Sequence, residues 1–167
     1  MAPNIYITGF MGAGKTRTGL LLAQKLNRRF LDTDTLIVNE AQMTITEIFE
    51  KKGEAWFRAL ESRIIGDLSQ RTSLVVGLGG GAILDEKNRQ VLSRGIWVFI
   101  DTSFQIIKER VGRRSHRPLA QDPKKFEELY NQRLPLYRQA AIIISNKEDA
   151  EVICQSIIQE IINGKNS

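Results

Sequence analysis

The sequence predicts an α/β protein in which a parallel sheet carries helices on both faces. Two observations lead there. Short apolar runs with strand composition alternate with amphipathic helical runs along most of the 167 residues, the pattern of consecutive β–α units. The first run, Ile5-Tyr6-Ile7, leads straight into Gly9-Phe10-Met11-Gly12-Ala13-Gly14-Lys15-Thr16, which fits G-x-x-x-x-G-K-[ST] and opens a helical pattern. Such a loop turns its backbone N–H groups inward at a helix N-terminus, so oriented donors and the positive end of the helix dipole surround a polyphosphate. In that context Lys15 reaches the β- and γ-phosphates, and the Thr16 hydroxyl ligates Mg2+.

The elements follow in order. Lys15 to Asn27 reads as a helix that feeds Leu20, Leu21, Leu22, Ala23 and Leu26 into the core. Phe30 to Asp34 reads as a short strand running out into acid. Residues two apart share a strand face, so Asp32 and Asp34 are expected to project together at its carboxyl end, within reach of Mg2+ and an attacking hydroxyl. The alternative is that one of them caps the next helix, with Asp34 before Thr35 as the candidate. Thr44-Ile45-Thr46-Glu47 matches a capping box and predicts a short helix ending before Gly53. A longer helix then runs from about Gly53 to Gln70 and carries Trp56, Phe57, Arg58 and Glu61. Arg58 and Glu61 can pair on one face of it, which is also what a plain surface ion pair would look like.

Leu74-Val75-Val76 has the composition of a buried parallel strand and runs into Gly77-Leu78-Gly79-Gly80-Gly81. Consecutive glycines directly after a core strand suggest a backbone that must come very close to a ligand. Asn88 to Leu92 is helical, Gly95 to Asp101 is the next strand, and Ser103 caps a helix to about Arg110. From Gly112 to Gln121 the periodicity disappears and the charge turns strongly positive, so residues 112–122 are expected to form a mobile, arginine-bearing lid. His116, inside that stretch, reads as a solvated loop residue. Asp122-Pro123 opens a helix to about Arg133, with Pro135 expected to stop or kink it. Ala140 to Ser145 is the last strand, and Glu148 to Asn163 a closing amphipathic helix.

Composition narrows the function class. With 42% hydrophobic and 26% charged residues the chain resembles an ordinary globular protein, and its length suits a single domain over residues 1–167. No apolar run approaches the ~20 residues of a membrane span, and the N-terminus lacks a basic segment followed by an apolar one, so a cytoplasmic protein without a membrane partner is expected. The net charge of +5 does not indicate nucleic acid: the basic residues are dispersed apart from Arg110, Arg113, Arg114 and Arg117, and no aromatics interleave with them to stack bases. A polyanionic small molecule explains that cluster better. The single cysteine, Cys154, excludes an internal disulfide and reads as a buried, inert thiol.

Taken together, these residues resemble the shikimate kinases from Ile5 to about Ala141. The phosphate loop, Asp32-Thr33-Asp34, Phe57-Arg58 with Glu61, Gly79-Gly80-Gly81, Arg117-Pro118-Leu119 and Arg133-Leu134-Pro135-Leu136-Tyr137 each match a family motif, in the family's order. The resemblance implies transfer of the γ-phosphoryl of ATP to the 3-hydroxyl of shikimate. It also implies the nucleoside-monophosphate-kinase-like P-loop fold, a three-layer α/β/α arrangement with a five-stranded parallel sheet. Carried over by position, Gly12, Ala13, Gly14, Lys15 and Thr16 bind ATP, Arg110 stacks on adenine, and the loop from Asn146 closes the other side of the base. Asp32 fixes the water shell of Mg2+. Asp34 bonds the shikimate hydroxyls and orients or deprotonates the nucleophile, Lys15 and Arg117 act on the transferring phosphoryl, and Arg58 and Arg133 clamp the substrate carboxylate. Phe57, Glu61 and the Gly79, Gly80 and Gly81 backbone complete the shikimate site, whose region spans residues 34–61. A monomer acting on small molecules is expected.

Three positions depart from the family. Arg17 stands where a small hydroxyl residue is usual, Gly77 where serine, alanine or threonine is usual, and Ala120 where a second leucine is common. Two rival readings remain at this point: another small-metabolite kinase of the same fold, such as a gluconate kinase, and a nucleotide-binding module without catalysis.

Overall fold

In the computed structural model, which describes residues 1–112, 122–146 and 149–165, the first apolar run becomes the middle strand. β1 (Ile5–Thr8) is flanked by β3 (Leu74–Gly77) and β4 (Ile96–Asp101), while β2 (Arg29–Asp32) and β5 (Ile142–Ser145) form the edges. The order is β2-β3-β1-β4-β5, and every pairing is parallel. Between β1 and β2 runs α1 (Lys15–Lys25). Three helices, α2 (Thr33–Ala41), α3 (Ile45–Lys51) and α4 (Glu54–Ser69), join β2 to β3. After β3 come α5 (Glu86–Ser93), β4, α6 (Phe104–Gly112), α7 (Pro123–Tyr137), β5 and α8 (Ala150–Lys165). This is the expected α/β/α arrangement on five parallel strands.

Side chains alternate across the sheet as the pleat requires. Ile5, Ile7, Val75, Val98 and Ile100 pack against Leu22 and Ala23 of α1 and Ile153, Cys154 and Ile157 of α8. Tyr6, Val76, Trp97 and Phe99 turn to the other face, toward Ile64, Ile65 and Leu68 of α4 and Ile107 of α6. Burial on both faces is why these strands are apolar almost without interruption. Cys154 is fully buried, its thiol donates to the Thr18 carbonyl at 3.3 Å, and burial pushes its pKa up to about 11. The expected burial is thus observed. From β1 the chain winds to one side through β2 and β3, then crosses to β4 and β5 on the other. The loops therefore part at the carboxyl end of β1, where a sheet of this kind leaves a crevice for ligands.

Two expectations need correction. Strand β2 stops at Asp32, and Asp34 belongs to the first turn of α2. Pairing with β3 runs out at Asp32 opposite Gly77, and Asp32, not Asp34, caps the helix by accepting from the Thr35 N–H at 3.0 Å. Period-two spacing is thus not what brings the two carboxylates together. Second, α7 runs through Pro135 to Tyr137. Proline removes one helical hydrogen bond, but the last turn is pinned by Tyr137, which is 1% exposed and stacks on Phe99 with ring centroids 5.1 Å apart. The capping box forms as expected: the Glu47 N–H donates to Thr44 Oγ1 at 3.2 Å, and the Thr44 N–H donates to Glu47 Oε2 at 2.9 Å.

Candidate active site

The loop after β1 owes its shape to its glycines and to clamps from distant residues. Gly12 and Gly14 take φ of 79° and 94°, a region that side-chain-bearing residues avoid. Gly14 caps α1 without a side chain, so no capping side chain stands between the helix N-terminus and a ligand. From behind, Asn146 Nδ2 donates to the Ala13 carbonyl at 2.7 Å and to Thr102 Oγ1 at 3.0 Å, and Thr102 Oγ1 donates to the same carbonyl at 3.2 Å. Arg110 Nη1 donates to the Gly12 carbonyl at 3.0 Å. Lys15 Nζ folds over the loop, donating to the carbonyls of Gly9 at 2.7 Å and Phe10 at 3.1 Å. In front lies a cavity of about 550 Å3, walled by Gly12, Gly14, Lys15, Thr16 and Arg17 on one side and Asp32, Asp34 and Gly80 on the other. Cations and the N-terminus of α1 thus share one space with two carboxylates.

A second cluster adjoins it. Arg58 Nη1 donates to Glu61 Oε2 at 2.7 Å, and Glu54 Oε1 stands 3.6 Å from Arg58 Nε. Glu61 is fully buried; burial pushes its carboxyl pKa up, Arg58 opposes that, and Asp34 adds to it. Phe57 is buried beneath Arg58, whose guanidinium sits 5.0 Å from the ring centroid. Arg133 of α7 is 8% exposed and lies 5.7 Å from the Phe10 ring centroid. Burial pulls its pKa down, and the charge of Arg58 acts in the same direction. The Tyr137 hydroxyl donates to the Gly80 carbonyl, and the Gly79 N–H donates to Thr33 Oγ1 at 3.0 Å. The glycine turn is wedged among these groups: a Cβ on Gly79 would stand 2.6 Å from Asp34 Oδ1, and one on Gly81 2.3 Å from Arg58 Nη2.

Gly81→Ala is therefore expected to displace the Arg58 guanidinium and to lower kcat/KM by on the order of 10²-fold, mainly through KM for the second substrate. A crystal structure of the variant with Arg58 unmoved would refute this.

Among the described residues, three buried side-chain polar atoms lack a hydrogen-bond partner: Arg58 Nε, Glu61 Oε1 and Arg133 Nε. An orphaned buried polar atom costs on the order of 1–3 kcal/mol, so three in one cluster mark a place built for a ligand. Two cations and one acid, with Asp34 adjoining, suit a small molecule bearing a carboxylate and hydroxyl groups.

The structure thus brings together Lys15, Thr16, Asp32 and Asp34 around one cavity, and Phe57, Arg58, Glu61, Arg133 and Gly79 to Gly81 around the other cluster. Arg110 and Asn146 meet at the back of the loop, where a Cβ on Gly14 would come within 3.8 Å and 3.6 Å of them. Of the expected lid, Gly112 ends α6 and Asp122 caps α7, while Arg117, His116, Ala120 and the other positions from 113 to 121 lie outside the described residues. Sequence reasoning missed the clamp by Thr102, the Thr33 bond to Gly79 and the Tyr137 bond to Gly80. Thr102 directly follows β4 as Asn146 follows β5, and a polar residue at the carboxyl end of a parallel strand was the available signal.

Comparison with known proteins follows the same lines. The family profile described as Shikimate kinase matches residues 11–163. A shikimate kinase of Trichormus variabilis is 44% identical over 163 residues, covering 95% of this chain and 90% of its own length. The structure of the shikimate kinase from Acinetobacter baumannii in complex with shikimate superposes with a TM-score of 0.93 at 40% identity, over 100% of this chain and 97% of that one. A gluconokinase from Sinorhizobium meliloti shares the fold, with a TM-score of 0.62 at 17% identity over 96% of this chain and 92% of its own.

Proposed function

The chain belongs to the shikimate kinase family, and from that premise we propose how its residues divide the work of the reaction. The protein transfers the γ-phosphoryl group of ATP to the 3-hydroxyl of shikimate, giving ADP and shikimate 3-phosphate in aromatic amino acid biosynthesis. Gly12, Ala13, Gly14, Lys15 and Thr16 bind the triphosphate: the amides ahead of α1 take the phosphate oxygens, and Lys15 exchanges its two carbonyl contacts for phosphate. Arg110 and Asn146, which already hold the loop, flank the nucleoside. The Thr16 hydroxyl and the carboxylate of Asp32 are hard oxygen donors on one cavity, a set that fits Mg2+ with its water shell. When bound, that ion neutralises charge on the β- and γ-phosphates.

Arg58 and Arg133 take the shikimate carboxylate, with Phe57 beneath Arg58 and Glu61 holding it from the buried side. Asp34, against the Gly79 to Gly81 turn, accepts the proton of the attacking hydroxyl as the new O–P bond forms and the β,γ-bridging O–P bond breaks. Arg117, outside the described residues, is assigned to the phosphoryl group in transit. The substrates are small molecules, and no helix among the described residues is long and apolar enough to cross a membrane. We propose a cytoplasmic monomer.

The observation that carries this reading is the trio of buried atoms without a hydrogen bond on Arg58, Glu61 and Arg133. The test is release of ADP from MgATP with shikimate, quinate and gluconate offered in turn. Turnover is expected with shikimate and far less with gluconate; equal rates would overturn it.

Two further results are expected. Trp56 is 39% exposed beside Phe57, whereas Trp97 is 2% exposed and donates to Thr8 Oγ1 at 2.9 Å. Shikimate should therefore change the tryptophan emission through Trp56, and Trp56→Phe should lose most of the change; a response that survives intact would move the binding site away from α4. The second concerns pH. Because the folded-state pKa of Glu61 is raised, its stabilising contribution is full below the ordinary carboxylate value and is lost as pH rises through the raised one. Affinity runs the other way, since protonation on the acid side removes the partner of Arg58. KM for shikimate should rise as pH falls through that range, and Glu61→Gln should show the high KM at every pH.

A further inference from the structure

Two glycines stand where local preference argues against them. Gly19 lies inside α1 and Gly77 ends the core strand β3, places where glycine weakens the element. Backbone conformation is not the reason, because the positive-φ glycines are Gly12, Gly14 and Gly53. Space is. A Cβ on Gly19 would stand 2.3 Å from Phe30 Cε2, and one on Gly77 would stand 3.1 Å from Phe30 Cζ. A single ring fills both notches.

That ring sits beside the chemistry. Phe30 precedes Asp32 by two residues on β2 and so shares its strand face. Asp32 pairs in register with Gly77, and a Cβ there would also lie 3.5 Å from Asp32 Oδ2. The other carboxylate oxygen, Oδ1, is already engaged by the Thr35 N–H. On the helix side, Gly19 is four residues after Lys15 and three after Thr16, so it lies on the same stretch of helix surface. The ring bears on α1 just below the residues that hold the nucleotide.

We infer that Phe30 is a positioning residue of the active site: wedged between Gly19 and Gly77, its ring sets the distance from Lys15 and Thr16 on α1 to Asp32 on β2, and with it the fit of the metal–nucleotide complex. The inference rests on the reading of Thr16 and Asp32 as metal–nucleotide residues. It also accounts for glycine at position 77, since a side chain there and the ring of Phe30 compete for one space. Protein interiors transmit small displacements because they are close-packed, so a smaller side chain at 30 lets helix and strand settle closer.

The test is calorimetric titration of ADP into the full chain, once with Mg2+ and once with EDTA; the ratio of the two dissociation constants reads the metal-dependent part of binding. Phe30→Leu is expected to shrink that ratio by about tenfold while affinity in EDTA changes by less than twofold. Gly77→Ala, pushing on the ring from the opposite side, should shrink it too, and the double variant Phe30→Leu/Gly77→Ala should recover part of the loss. A lowered Tm with an unchanged ratio in Phe30→Leu would reduce the ring to ordinary packing and overturn the inference. Strictly additive losses in the double variant would also overturn it, because residue 77 would then act on Asp32 directly. Should Phe30→Leu not fold, Gly19→Ala decides on the same ratio, because the three atoms nearest a Cβ there all belong to the Phe30 ring: a shrunken ratio supports the inference and an unchanged one overturns it. A wild-type protein that binds ADP without any preference for Mg2+ would instead remove the metal reading of Thr16 and Asp32, and the inference with it.

Discussion

Lys15→Met is expected to lower kcat by on the order of 10³-fold while leaving the far-ultraviolet circular dichroism unchanged. The magnitude is that of removing one preorganised donor aimed at charge developing on a transferring group. The fold should survive because the loop does not depend on Lys15 for its shape: the Ala13 carbonyl is held by Asn146 and Thr102, and the Gly12 carbonyl by Arg110. Methionine keeps the unbranched stem and deletes only the ammonium. Steady-state ADP release at saturating shikimate and MgATP is the measurement. A variant within tenfold of wild type would mean that another cation, such as Arg17, which also lines the cavity, neutralises the phosphates.

The arginines should separate by kinetic signature. Arg133→Ala removes a buried guanidinium whose Nε has no hydrogen-bond partner, and in the role proposed for it the lost contact would be one to the substrate carboxylate that persists throughout the reaction. Such uniform binding appears in KM, and a two-bond fork lost at about 1.5–3 kcal/mol per charged hydrogen bond gives on the order of 10²-fold or more in KM for shikimate. Arg133→Lys should restore little of it, since a point charge cannot reproduce the fork. Arg58→Ala should raise the same KM and also lower Tm, because it strands the fully buried Glu61 without its cation. Arg117→Ala is expected to act mainly on kcat, by on the order of 10³ to 10⁵, as arginines that meet a transferring phosphoryl group do. If Arg117→Ala changed only KM for shikimate while Arg133→Ala changed only kcat, the two roles would be exchanged.

How legible these features were depends on how local their causes are. The phosphate loop could be recognised because its geometry is written in consecutive residues, with Gly12 and Gly14 supplying the positive φ. The Thr44 to Glu47 box is equally local. The end of β2 was not legible, because it is decided by where β3 runs out opposite Asp32, some forty residues later in the chain. Nor was the passage of α7 through Pro135, which depends on Tyr137 finding Phe99 and Gly80. Arg58 could as well have been a surface ion pair by its spacing from Glu61. What separates the two readings is that Glu61 is fully buried, and burial is set by the packing of α4 rather than by anything in its own turn.

The clamp on Ala13 couples the loop to distant parts of the chain. The residues that hold the loop stand 89 and 133 positions beyond it. Ala13 gains its Asn146 partner only once β5 has docked at the sheet edge, so the working shape of the loop is tied to completion of the sheet. A molecule whose β5 is undocked is expected to hold a nucleotide poorly even with the loop sequence intact.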